Sequence, residues 1–126
     1  MPTLFSSSLA LCRTLTTTLV GVLLCTAASA MSLREMRALE KSNPKQGENY
    51  VNYFLVGAME GVLEAHNQAV RNGAKPSICL NGRRLEPHMA RTLFDTELKR
   101  NAGVYEAEMT VQLVMNNALA TVYACT

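Results

Sequence analysis

The sequence predicts an all-α fold: a small bundle of three to four main helices, pinned by one disulfide and preceded by a cleaved signal peptide. Three observations carry that expectation. Apolar residues recur at helical spacing in four separate stretches, and no stretch shows a strand-like alternation of comparable quality. The breaks between them hold residues that stop or start helices: Asn43-Pro44, Gly73, Pro87 and Asn101-Ala102-Gly103. Beyond residue 30 only Cys79 and Cys125 remain of the four cysteines, an even pair in a domain small enough to benefit from a bridge. A chain of 126 residues supplies one compact domain and not two.

Residues 1–30 read as an export signal rather than as part of the fold. Arg13 is their only charged side chain, and Leu19-Val20-Gly21-Val22-Leu23-Leu24-Cys25 forms a short apolar core. Ala28-Ser29-Ala30 sets small residues where a signal peptidase pocket must accept them, so cleavage is expected between Ala30 and Met31. The core falls well short of the ~20 apolar residues a membrane span needs, so no stable membrane anchor is expected. Leu23-Leu24 ahead of Cys25 are too bulky for a lipoprotein signal. The domain then comprises residues 31–126. In an oxidising compartment Cys79 and Cys125 are expected to bridge, and closing that loop restricts the unfolded chain by roughly 4 kcal/mol in the entropic account. The rival role, a nucleophilic Cys79 assisted by His88, needs a free thiolate and leaves Cys125 unexplained.

Leu33, Met36 and Leu39 predict a first helix of two to three turns, ending at Ser42-Asn43-Pro44. Asn43 then suits an N-cap, with Pro44 at the first helical position and Gln46 at the third, where its side chain can reach back. In the longer second helix, Val51, Phe54, Leu55, Ala58, Met59, Val62, Leu63, Ala65, Ala69 and Val70 share one half of a 100° wheel, opposite Glu60, Glu64, Asn67 and Arg71. Gly73 is its natural stop. Residues 74–85 hold Pro76 and the turn pair Asn81-Gly82 and read as an irregular connector tethered by Cys79. Pro87 opens a third helix that buries Met89, Ala90, Leu93, Phe94 and Leu98, while Arg91, Asp95 and Lys99 form a solvated face. After Gly103, Val104, Ala107, Val111, Val114, Met115, Ala118, Leu119 and Val122 predict a core helix whose stripe extends to Cys125.

Little in the chain points to chemistry. A net charge of +2 with no basic run longer than Arg83-Arg84 argues against nucleic acid as a partner. Gly57 and Gly61, continued by Ala65 and Ala69, make a smooth ridge suited to close helix packing within the domain or across a homodimer. Glu60, Glu64 and His66 interrupt it, so it is not the membrane form of that motif. His66 lies on the apolar side of its helix, where a hydrogen-bonded core or interface role is expected. Two histidines without a metalloprotease spacing assemble no metal site, and no cofactor is implied. Glu60 and Glu64 share a face without a group to perturb them, and no nucleophile elbow, triad or phosphate loop is present, so an enzyme is not expected.

The order of short motifs carries a resemblance. Phe54-Leu55-Val56-Gly57 with Gly61, then Ile78-Cys79-Leu80, then Leu113-Val114, Ala118-Leu119 and a terminal Tyr123-Ala124-Cys125 resembles the Rap/Tai family of type VI secretion immunity proteins over most of residues 33–126. Lys41-Ser42 and Val51 stand where many relatives carry a further cysteine pair. The resemblance implies a helical periplasmic protein, often a homodimer, that binds and inhibits an injected peptidoglycan amidase by occlusion. It also implies the Cys79–Cys125 bridge. The loop Asn81-Gly82-Arg83-Arg84 is the candidate effector-binding segment, and changing both arginines to Glu is expected to weaken inhibition without unfolding the protein. The competing expectation is an orphan helical binding module or a small periplasmic acid-stress chaperone whose methionines, among them Met59, Met89, Met109 and Met115, offer an adaptable surface.

Overall fold

In the computed structural model, which describes residues 30–126, four helices follow one another: α1 (Leu33–Ser42), α2 (Pro44–Arg71), α3 (Met89–Arg100) and α4 (Val111–Val122). The expected leader, with its apolar run and the Ala28 position, lies outside the described residues. The rest is the expected all-α bundle with one disulfide, and the described residues form no strands, only two isolated bridges, Ser32 with Thr110 and Ile78 with Ala124.

Side-chain caps start α1, α2 and α4, whereas α3 begins at Met89, two residues past the expected Pro87, and His88 before it makes no cap hydrogen bond. Ser32 caps α1: its hydroxyl accepts from the Glu35 N–H at 3.2 Å, and its own N–H donates to the Glu35 carboxylate at 2.7 Å, a reciprocal capping box. Those contacts favour the ionised carboxylate and hold the Glu35 pKa below its usual value. Asn43 caps α2 as expected, accepting from the Gln46 N–H at 3.3 Å, while its amide donates to the Gln46 side chain at 3.2 Å. The corner between α1 and α2 is so tight that a Cβ on Gly47 would collide with the Leu39 carbonyl. Arg71 ends α2, and Gly73 follows with φ +94°, the left-handed stop the sequence anticipates.

The core forms where α2 meets the other three helices. Leu33 of α1, Val51, Leu55 and Met59 of α2, Phe94 of α3, and Val111, Val114, Met115 and Leu119 of α4 are all buried. Arg91 does more than line a solvated face. It is half-buried, reaching Asp95 at 2.9 Å and Glu40 of α1 at 2.7 Å, so it ties α3 to α1. Burial opposes its charge, but hydrogen bonding and attraction to Asp95 and Glu40 outweigh that and raise its pKa.

The expected long helix from Val104 is corrected: α4 begins at Val111, and Val104 is 61% exposed. Gly103 takes φ +91°, and the segment after it is captured by α1 and α4 instead of winding into a helix. Leu33 N–H donates to the Met109 carbonyl, Arg34 N–H to Ala107 and Val111 N–H to Met31. Thr110 is the true cap, its hydroxyl accepting from the Leu113 N–H at 3.3 Å. At the other end α4 stops at Val122, so Cys125 lies in an extended tail rather than on the helical stripe.

Candidate functional site

The connector between α2 and α3 is held from four sides. Cys79 bonds Cys125 with the Cα atoms 4.9 Å apart. Its N–H donates to the Tyr123 carbonyl at 2.7 Å, beside the Ile78–Ala124 bridge. From α2, His66 Nε2 accepts from the Ile78 N–H at 3.4 Å, and Ser77 Oγ lies 3.5 Å from Nδ1. His66 is thus the hydrogen-bonded interface residue the sequence suggests.

Beyond this clamp the chain reverses at Asn81-Gly82. Both residues have positive φ, 52° and 78°, a conformation Asn and Gly adopt at least cost. Arg83 N–H donates back to the Leu80 carbonyl at 3.0 Å, closing the turn. The Arg83 guanidinium stands 4.9 Å from the centre of the buried Tyr123 ring, and its Nε donates to the Leu80 carbonyl at 3.1 Å. The two arginines therefore differ. Both side chains are exposed, but Arg83 is part of the clamp, while Arg84 makes no hydrogen bond or ion pair among the described residues. The structure separates the pair that the sequence treated as one. The sequence places Tyr123 in a terminal motif but does not flag its contact with Arg83, because cation–ring contacts join residues of arbitrary separation.

Gly57 and Gly61 are corrected as sites of packing within the domain. A Cβ built on either meets nothing within 4 Å, and both face an open groove of about 470 Å³ walled by Phe54, Val62, Ala65 and Gln112. A smaller cleft of about 320 Å³ lies on another side, between Tyr53 and Val56 of α2 and Pro87, His88 and Arg91. Tyr53 there is 78% exposed. Glu60 and Glu64 are exposed, and Glu64 pairs with Arg71 at 2.7 Å along the same helix.

One polar cluster escaped the sequence reading. Glu97 is only 2% exposed and accepts from Asn101 Nδ2 at 2.7 Å and from the Tyr105 hydroxyl at 2.6 Å; Asn117 Nδ2 donates to that hydroxyl at 3.1 Å. Burial, then the bond to Glu97, raises the Tyr105 pKa. The signal was present: Glu97 falls on the Ala90, Leu93, Phe94 stripe, where a carboxylate must find donors. Arg100 Nη1 also donates to Glu97 at 3.4 Å, and the remaining hydrogen bonds of the cluster hold residues 101–105, so its role is structural. Among the described residues no group of three or more His, Cys, Asp or Glu side chains could hold a metal ion, and no helix is long and apolar enough to cross a membrane. Comparison with family models, with curated proteins and with solved structures finds no match to this chain.

Proposed function

We propose that the protein is an exported immunity protein that binds a type VI secreted peptidoglycan amidase and blocks its active-site cleft, acting by occlusion in the periplasm. The observation that carries this is the clamped turn at Asn81-Gly82. A segment inserted into a partner's cleft loses least entropy when it is already fixed in its bound shape, and here disulfide, bridge, histidine and cation–ring contacts fix both flanks of the turn. Resemblance to the Rap/Tai family supplies the partner class. A standard interface needs roughly 1,200–2,000 Å² in total, within reach of a domain of this size.

Arg84 is the side chain offered to the partner, and Arg83 the strut behind it. The test is survival of bacteria challenged with a periplasm-directed amidase, encoded beside this gene where one exists. Full-length protein should rescue, and protein lacking residues 1–30 should not. Arg84→Glu should reduce rescue with unchanged melting temperature; full rescue by Arg84→Glu removes the turn from the interface. Rescue by neither form, with exported and oxidised protein present, defeats amidase immunity for the amidase tested. The chaperone alternative, in which acid exposes apolar surface, predicts suppression of client aggregation at low pH; at rest Met36, Met59 and Met115 are buried and Met31, Met89 and Met109 half-buried.

A further inference from the structure

We infer that Asn81 is a site of spontaneous covalent modification: the backbone nitrogen of Gly82 attacks its side-chain carboxamide and ammonia is lost, so the exposed turn carries its own ageing chemistry. The chain holds two Asn-Gly pairs, Asn72-Gly73 and Asn81-Gly82. In both, the glycine has no Cβ to obstruct the approach of its nitrogen to the asparagine, and all four residues are exposed. By sequence the pairs are equals; by structure they are not.

The attack needs two freedoms. The glycine N–H must give up its proton so that the nitrogen can reach Cγ, and the asparagine ψ must turn to bring the two atoms together. Asn72-Gly73 has neither. Gly73 N–H donates to the Val70 carbonyl at 2.9 Å, and Asn72 N–H is shared between the Gln68 and Ala69 carbonyls, each at 3.1 Å. Asn72 is the C-cap of α2 at φ −87° and ψ 12°, so turning it unwinds the helix end. At the other pair, neither the Asn81 nor the Gly82 N–H donates a hydrogen bond among the described residues, and the Asn81 carboxamide makes none. Rotation there disturbs only the two Arg83 bonds to the Leu80 carbonyl, at 3.0 and 3.1 Å.

In the attack a bond forms between Gly82 N and Asn81 Cγ, the Cγ–Nδ2 bond breaks, and ammonia leaves with the proton that the glycine surrenders through solvent. Water then opens the cyclic imide at either of its carbonyls. One product is aspartate. The other is isoaspartate, whose main chain runs through the side chain and is one methylene longer. No electrons are transferred. Either product sets a carboxylate where a neutral amide stood, beside Arg83 and Arg84, and lowers the net positive charge of the turn. If Arg84 meets the partner, as the proposed function has it, conversion weakens the inhibitor with age.

Peptide mapping by mass spectrometry tests this, on protein expressed from the full-length gene, purified with its disulfide intact and held at mildly alkaline pH. Each conversion adds about one mass unit, and chromatography separates the aspartyl from the isoaspartyl peptide. One hydrogen bond that must be broken slows a rate about fivefold. Asn81 should therefore convert at least about 10-fold faster than Asn72 in the folded protein. Reduced and denatured, the two pairs should convert at comparable rates. Equal rates in the folded protein, or Asn72 converting first, overturn the proposal, as does an Asn81 that stays intact while the denatured chain converts. Asn81→Asp, which stands in for the shorter product, should reduce rescue in the survival assay at unchanged melting temperature; full rescue overturns the consequence for inhibition. The mapping involves no amidase, so the modification and the amidase proposal can fail separately.

Discussion

The two halves of α2 carry the same kind of sequence and meet opposite fates. Up to Met59, the apolar positions Val51, Leu55, Ala58 and Met59 are buried; from Glu60 to Arg71 no residue is, and Val62, Leu63 and Val70 are only half-covered. The wheel that aligned all of them contains no information about how far the partner helices extend. α2 has 28 residues and spans ~42 Å at 1.5 Å per residue, whereas α3 and α4, with 12 each, span ~18 Å. Two short helices cannot cover a long one along its length. The glycines sharpen the lesson. Gly47, in the first half, is required by a carbonyl that leaves no room for a Cβ, and Gly61, in the second, is required by nothing inside the domain.

The largest expected effect tests what holds the second half in place. Replacing Cys79 and Cys125 by Ser should cost roughly 4 kcal/mol in chemical denaturation. Amide exchange should rise more over residues 60–80 than over 47–59, because the tethered connector braces α2 through His66. An equal rise in both halves would show that the overhang does not depend on the clamp.

Next in size is a matched pair of truncations. Leu55→Ala should destabilise by about 3 kcal/mol, as for a fully buried leucine, and Val62→Ala by less than about 1 kcal/mol in dilute protein, where the groove is open. Similar losses would mean that the two halves are equally packed. A third comparison reverses sign: Gly47→Ala should destabilise by at least about 1 kcal/mol through the clash with Leu39, and Gly61→Ala should stabilise the dilute protein by up to about 1 kcal/mol. Thermal melts at low concentration read both.

Smaller effects come from titration. The folded-state pKa of Tyr105 is raised, so the stability it contributes is present below the unfolded phenol value and is lost as pH rises through the folded one. Alkali should therefore loosen residues 101–110 before it reaches α2, seen as early exchange of those amides; Tyr105→Phe, which lacks that titration, should remove the alkaline step. Glu35 has the opposite sign. Its folded pKa is lowered, so its capping contribution is present above the unfolded carboxylate value and lost as pH falls through the folded one. A Glu35→Gln variant should lack that acid step in the helicity of α1, and an identical acid profile would show that the box contributes nothing.

Much of the local structure was legible because caps and stops act over three or four residues. Asn43-Pro44, Gly73 and Asn81-Gly82 each do in the structure what their chemistry predicts. The start of the last helix was not legible. Val104 and Ala107 continue the apolar wheel of α4, but the backbone of 107–111 bonds to residues 31–34, at the far end of the domain in sequence, and Tyr105 is drawn to Glu97. At the candidate site the sequence located the turn and its cysteine tether, and it missed the division of labour between Arg83 and Arg84, which depends on Tyr123.

The sequence by itself determined the elements whose signals are local: an all-α chain, three of its four helix starts to within two residues, its left-handed turns, and two cysteines in a position to close one loop. Only the tertiary structure decided which apolar positions are covered, where the fourth helix begins, what Arg83 and Glu97 touch, and that Gly57 and Gly61 face an open groove. Periodicity records which face of a helix is apolar; what lies against that face depends on the lengths and placement of other helices, a property that no window along the chain contains.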